Sequence, residues 1–278
     1  LKKLLTYLVL GFVGLFMVLP FVWMLATSLK PARDVFTSFD HPLRALVPAT
    51  LQPGNYGEVY DATRTMGGGF ARWYFNSVLV GIVVTLGQVA TSACAAYAFA
   101  RLRWPGRDKL FLGYLATMMI PGAVTIIPNF IVVRQLGALD SYFALTVPVM
   151  FSAYGTFMLR QFFMTLPRDL EEAATMDGCG LFRVFAHIIL PLSKPALATL
   201  AIFTFMGNWQ SLTWPLIMTN RDAMKTLPVG LQTFMGLYNT QWTLLMAGSI
   251  MMVLPMIIVF LLGQKWFISG IQTGALKG

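Results

Sequence analysis

LPRDLEEAATMDGCGLFRVFAHIILP, residues 166–191, is an acidic, amphipathic stretch set between long apolar segments. Pro167 closes the segment before it, since a proline disfavours helical backbone at the preceding residue. Asp169, followed three residues later by Glu172, has the pattern of a capping box, and Glu171 and Glu172 suit the positive end of a helix dipole. Ala173 and Ala174 keep one flank slim enough for another protein to approach. Gly178, after Asp177, admits a positive φ and breaks the helix. Beyond it Leu181, Val184, Phe185 and Ile188 form an apolar stripe with Arg183 and His187 off it; Leu190-Pro191 marks the turn toward the next apolar segment. The pattern predicts a short, bent helical hairpin with an apolar face and an acidic end. A helix lying on lipid would show a basic polar face. Four acids (Asp169, Glu171, Glu172, Asp177) within nine residues favour docking to a protein instead.

Around this stretch the composition is that of a membrane protein. Of 278 residues, 57% are hydrophobic and 11% charged, and the mean hydropathy is +0.69; soluble domains carry about 25% charged residues. The net charge of +9 reflects few acids rather than a basic patch. No basic run alternates with aromatics, so nucleic-acid binding has no support.

A helix needs about 20 apolar residues to cross the hydrocarbon. Six segments qualify, near 4–29, 74–100, 110–133, 142–163, 196–218 and 244–267, and none contains Asp or Glu. The chain opens on Leu1, which implies a missing initiator Met and short tail. The first apolar segment is too long for a signal-peptide core and is read as a spanning helix. With alternating spans, Lys2, Lys3, Arg101, Arg103, Arg107, Lys109, Arg160, Arg168, Arg183, Lys194 and Lys265 share one side. The positive-inside rule makes that side, both termini and the 164–195 loop cytoplasmic.

Within the apolar segments, Pro20, Pro121, Pro128, Pro148, Pro215 and Pro255 predict kinks, which membranes tolerate where neighbours re-satisfy the freed carbonyls. Ala90, Cys94 and Ala98, and likewise Ser92, Ala96 and Ala100, recur every fourth residue and offer small faces for helix packing. Gly67-Gly68-Gly69 reads as a flexible connection. Cys94, Cys179, His41 and His187 lack neighbours at metal-ligand spacing, so no metal site is expected. The abundant methionines read as core or lipid-facing filling.

Several motifs outside 166–191 then matter together: Ser28-Leu29-Lys30-Pro31, Asn76-Ser77, Ala95-Ala96-Tyr97-Ala98-Phe99-Ala100-Arg101-Leu102 with Pro105-Gly106, Met119-Ile120-Pro121 through Pro128, Leu136-Gly137 with Asp140, and the tail GIQTGALKG at 270–278. With Glu172-Ala173-Ala174, Gly178, Ile188 and Leu190-Pro191 at their spacing, the chain resembles the MalG-type permease of carbohydrate ABC importers over nearly its whole length. The resemblance implies an all-α membrane protein of six transmembrane helices with the type I importer permease fold, in a bacterial or archaeal inner membrane. It implies a coupling hairpin between spans 4 and 5. In that reading residues 1–70 hold the first helix and a long extracytoplasmic loop, 71–268 the permease domain and 269–278 a cytoplasmic tail. Glu171, Glu172, Ala173, Ala174, Asp177, Gly178, Ile188, Leu190 and Pro191 would form the ATPase-coupling element. The implied partners are a second, homologous permease, two ATPase subunits and an extracytoplasmic solute-binding protein. The chain has no Gly-Lys pair and hence no phosphate-binding P-loop. It is expected to be no enzyme and to bind no cofactor, with ATP and Mg held by the partner ATPase.

The cargo is addressed only indirectly. Ionisable groups inside a membrane mark ion and proton paths, and their absence argues against ion coupling and against a charged substrate. Asn129, Tyr154, Asn208, Trp209, Gln210 and Trp214 supply neutral hydrogen bonds and aromatic faces suited to sugars, although each also serves simply to hold helices together. Asn208 to Pro215 resembles a family segment in which Asn is usual where Gln210 stands. The alternatives are a permease for a polyol or glycerol-linked compound, and a secondary transporter. The latter would show intramembrane charges or inverted repeats.

Overall fold

The computed structural model describes residues 2–36, 46–236 and 239–275, with side chains to Gln264. His41, the side chain of Lys265 and, of the predicted tail, residues 276–278 together with the side chains before them lie outside the described residues. Helices make up the described chain, without a strand among the described residues. They are α1 (Lys2–Ser28), α2 (Asn55–Thr63), α3 (Gly69–Arg101), α4 (Arg107–Ala116), α5 (Gly122–Gln135), α6 (Tyr142–Thr146), α7 (Ala153–Thr165), α8 (Asp169–Met176), α9 (Leu181–Leu192), α10 (Lys194–Trp209), α11 (Thr213–Met218), α12 (Leu227–Leu231) and α13 (Trp242–Ala275).

Among the described residues, α1, α3 and α13 each hold an apolar stretch long enough to cross a bilayer unbroken. At 33 residues α3 is about 50 Å long, well beyond the hydrocarbon thickness, so its ends stand in the interfaces. It is the spine of the bundle: α7 and α10 pack along it, and α10 also packs on α13. Ser92, Ala96 and Ala100 are buried, and a Cβ added to Gly155 of α7 would lie 2.6 Å from Ser92 Oγ. Of the two small faces only this one packs inside the chain, since Ala90 and Cys94 are exposed. None of the most apolar stretch of α1 is buried, which calls for lipid or another protein around it rather than water.

The other apolar segments are not straight spans. Arg107–Met119 and Gly122–Gln135 meet at 99°. The break falls at Ile120-Pro121, where Ile120 is extended ahead of the proline. Tyr142–Val149 and Ala153–Thr165 meet at 42°, and Ser152 restarts the helix by accepting the Gly155 N–H at 3.0 Å. The expected 196–218 span is also interrupted, because α10 ends at Trp209 and α11 starts at Thr213, with the backbone leaving the helix between them. Pro215, which lacks an N–H for the helical ladder, sits in the first turn of α11.

At the end of the bundle opposite α8 and α9, the chain is cross-tied. Asn76 Nδ2 donates to the carbonyls of Ala223 (2.9 Å) and Lys225 (2.8 Å), and its Oδ1 accepts from Tyr142 Oη at 2.7 Å. Ser77 Oγ accepts the Leu227 N–H at 2.7 Å. Gly67, Gly68 and Gly69 all have positive φ, and a Cβ on Gly67 would come within 2.7 Å of Ala223 N. This segment is a tight, packed turn and not the flexible connection expected from its composition. The close contact of α3 with α7 predicts that Gly155→Val costs about 1–3 kcal/mol of overpacking. Thermal unfolding of the detergent-purified protein is expected to shift down for Gly155→Val and to stay unchanged for Ala90→Val.

Candidate functional site

The hairpin at 169–192 is built by local rules. Leu166 is extended before Pro167, which ends α7. α8 then begins with Asp169, Glu171 and Glu172 in its first turn, where the helix dipole favours them. The expected capping box does not form. Arg168 occupies the cap position, no side chain caps the helix, and Asp169 is already helical. α8 ends in a Schellman motif: Cys179 N–H donates to Ala174 O at 2.9 Å and Gly178 N–H to Thr175 O at 3.0 Å. That closure needs the left-handed φ of +81° found at Gly178.

Glu171 is used elsewhere. Its Oε1 lies 3.0 Å from Nε of Arg101, the last residue of α3. The Arg101 side chain is 4% exposed and that of Glu171 18%. Nη2 of Arg101 also donates to the carbonyls of Phe163 (2.6 Å) and Leu166 (2.7 Å) at the end of α7, where Phe163 O accepts the Leu166 N–H as well. One guanidinium thus joins the ends of α3 and α7 to the first turn of α8. One turn earlier, Tyr97 Oη donates to Leu181 O at 3.4 Å, and its ring lies 4.9 Å from that of Phe185.

On the inner face of the hairpin, Ala174, Val184, Phe185 and Ile189 are buried with Tyr97, Leu159 and Phe163. Two features depart from the expected stripe. Leu181 points outward, and Ile189 is more deeply buried than Ile188. The second follows from a π-helical stretch at Phe185–Ile189, whose wider turn shifts the register that a 3.6-residue repeat anticipates, whereas Leu181 lies in the first helical turn after Gly180, ahead of that stretch. Of the two alanines only Ala173 is open; Ala174 packs on the chain's own core. The outer face carries Asp169, Glu172, Asp177, Leu170 and Leu181, with Met176 88% and Phe182 81% exposed. Leu190 is half-buried and Pro191 exposed, inside the last turn of α9 rather than after it. Met176 and Phe182 were not singled out from sequence. Their signal was an apolar side chain placed off the buried stripe.

Of the six pathway candidates, the structure brings two together. Tyr154 and Asn208 line a cleft of about 420 Å³ with Gln88, Thr204, Phe203 and Gly207. Gln88, the one amide inside α3 away from its ends, was missed. It accepts a hydrogen bond from Thr204 Oγ1, and its amide donates to Val149 O at 3.3 Å. Trp209 is 1% exposed, donates to Met252 O at 2.9 Å and stacks on Phe205, so it is core here. Trp214 lies in another cluster, donating to Ala144 O at 3.0 Å. The break at 210–212 separates Trp209 from Trp214. Gln210 lines an apolar cleft beside Met256, and Asn129 is exposed on α5. No group of three or more metal-ligating side chains occurs among the described residues.

Comparison with known proteins fixes what kind of scaffold carries this hairpin. The family model of the binding-protein-dependent transport system inner membrane component matches residues 88–272, from Gln88 in α3 through α13. The chain belongs to that family. It is a transport subunit and not an enzyme. The permease is 38% identical over 245 residues to the sn-glycerol-3-phosphate transport system permease protein UgpE of Yersinia enterocolitica, covering 85% of this chain and 87% of that one. It is 34% identical over 262 residues to the arabinooligosaccharides transport system permease protein AraQ of Bacillus subtilis, covering 93% and 90%. Its fold superposes on a chain of a bacterial ABC transporter involved in the import of the acidic polysaccharide alginate, with a TM-score of 0.83, 24% identity and 96% of both chains covered. A second alginate ABC transporter structure, in complex with an alginate pentasaccharide-bound periplasmic protein, gives a TM-score of 0.65 at 12% identity.

In the permease, Gly178 has open space around it, so backbone alone restricts the position. Gly178→Ala is expected to strain the Schellman turn by about 1 kcal/mol. Gly180, with φ of −74°, should tolerate alanine. Limited proteolysis of the 176–181 turn checks this: faster cleavage of Gly178→Ala with unchanged cleavage of Gly180→Ala is the expected pattern.

Proposed function

We propose that this permease is one of two homologous transmembrane subunits of an ATP-driven importer for a sugar or oligosaccharide. It crosses the cytoplasmic membrane six times, through α1, α3, the bent pairs α4–α5 and α6–α7, the interrupted pair α10–α11, and α13, with both termini cytoplasmic. The hairpin of α8 and α9 docks on one of two ATPase subunits, which hold ATP and Mg. A solute-binding protein delivers cargo from the opposite side.

The observation that carries this proposal is the outer face of the hairpin. Glu172, Met176, Leu181 and Phe182 are exposed on an element whose inner face is fixed to α3 by Arg101. An exposed apolar tip rimmed by acids suits an apolar cleft rimmed by cations, with Phe182 as an anchor of the kind that dominates interfaces. Closure of the ATPases would displace the hairpin and, through it, α3 and α7. Two access states with different cargo affinity are what such switching requires.

The cleft of Gln88, Tyr154, Thr204 and Asn208 is the proposed cargo-facing surface, offering amide and hydroxyl groups to sugar hydroxyls. A second reading is a glycerol-linked solute, favoured by the 38% identity to a permease named for sn-glycerol 3-phosphate. Acid-free spans do not separate the two, because that relative's named solute is itself anionic.

Tagged permease purified from membranes is expected to retain an ATPase. Phe182→Asp and Glu172→Lys should each weaken that association by about tenfold or more while leaving membrane insertion intact. Full retention by both variants contradicts the docking assignment. Competition of uptake by oligosaccharides or by glycerol 3-phosphate, repeated with Gln88→Leu, distinguishes the two cargoes and tests the cleft.

A further inference from the structure

Beside the root of the hairpin, where α3 ends and α4 begins, lies a cleft of about 590 Å³. Four cations line it, Arg103, Arg107, Lys109 and Arg168, against the single carboxylate of Asp108. That carboxylate is already engaged. Arg107 holds it at 3.0 and 3.3 Å, Arg160 approaches to 3.9 Å, and the Arg107 guanidinium keeps the Asp108 carboxyl below the usual carboxylate range. Arg103, Lys109 and Arg168 have no acidic partner among the described residues. The positive-inside tendency accounts for basic residues on this side of the membrane. It does not account for four of them, three from the turn into α4 and its first residues and one from the start of α8, converging on one concavity.

We propose that this cleft binds the phosphate headgroup of an anionic phospholipid of the cytoplasmic leaflet. The inference rests on the topology proposed above, which puts this loop on the cytoplasmic side. The surroundings suit an amphiphile: Leu110 and Leu112, on α4 beside the cations, are exposed, so an acyl chain has apolar surface to lie on while the phosphate sits among the cations. Polybasic segments at that interface attract anionic lipid in this way. The ATPase is the poorer occupant. The exposed hairpin is acidic and calls for a basic partner, and that same partner would be repelled by this cleft. Arg168 also occupies the cap position of α8, so a bound lipid touches the root of the hairpin and links membrane charge to its position.

The test uses the assembled transporter in phosphatidylcholine nanodiscs, with fluorescent phosphatidylglycerol as the probe. The double variant Arg103→Gln/Lys109→Gln is expected to lower phosphatidylglycerol retention about tenfold or more. Arg103→Lys/Lys109→Arg should retain it, and both should keep the ATPase. Equal retention by the Gln variant and the wild type overturns the site. Displacement of the lipid by millimolar inorganic phosphate overturns it in favour of a soluble anion. Loss of the ATPase from the Gln variant overturns it in favour of protein docking. Failure of the transporter reading itself would show separately, as wild-type protein that brings down no ATPase.

Discussion

Arg101 carries a charge that the bundle leaves almost no water to solvate. A buried cation is tolerated only when paired and hydrogen-bonded, and here the compensation comes from three groups in two parts of the chain. The carbonyls of Phe163 and Leu166 supply the end of α7, and the Glu171 carboxylate supplies the start of α8. Removing one member of such a pair costs about 3–5 kcal/mol, because the other charge stays buried. The position of the hairpin is therefore set by the transmembrane helices before any partner arrives. Ala174, Val184, Phe185 and Ile189 pack behind it, leaving Glu172, Met176 and Phe182 facing outward on a rigid base.

The apolar environment imposes the second constraint. Backbone groups without water must be satisfied internally, and several helix ends are completed by a side chain. Ser152 restarts the helix after the bend before α7, and Thr219 Oγ1 donates to Pro215 O at 2.7 Å at the end of α11. Asp140, in the left-handed region at φ +54°, accepts the N–H groups of Asn220 and Arg221 at 2.7 and 2.8 Å. With Asn76 and Ser77, it fastens the segment after α11 to the starts of α3 and α6. In the proposed mechanism, motion imposed at the hairpin end would meet a bundle tied at its other end, and the bent helices between would absorb the change of access.

Local chemistry was readable from sequence, and long-range pairing was not. Pro167 and Gly178 announced the limits of α8 because a proline and a positive-φ turn leave few alternatives. The acids of its first turn were equally plain, but the role of Glu171 was not: its partner Arg101 lies 70 positions earlier, and the helix dipole is the nearest local explanation for an acid there. The π-helical turn in α9 has no composition cue, so Ile189 takes the buried place that the expected stripe gives to Ile188. The long apolar run 196–218 concealed a break, because hydropathy does not register a missing hydrogen bond at Pro215. In the cleft, residue type points to Tyr154 and Asn208, whereas no local signal marks Gln88, an amide within an apolar helix, as their neighbour. Trp209 and Trp214 looked like a pair only while the helix between them was assumed to be continuous.

If Arg101 and Glu171 transmit hairpin displacement to α3, they act as a unit, and a double-mutant cycle exposes that directly. The measurement is the ratio of solute imported to ATP hydrolysed by the reconstituted transporter, for wild type, Arg101→Gln, Glu171→Gln and the double variant. Both single variants are predicted to lower the ratio while still holding the ATPase, and the double variant to be no worse than Arg101→Gln alone. A wild-type ratio in either single variant, or losses that simply add in the double variant, would contradict the account.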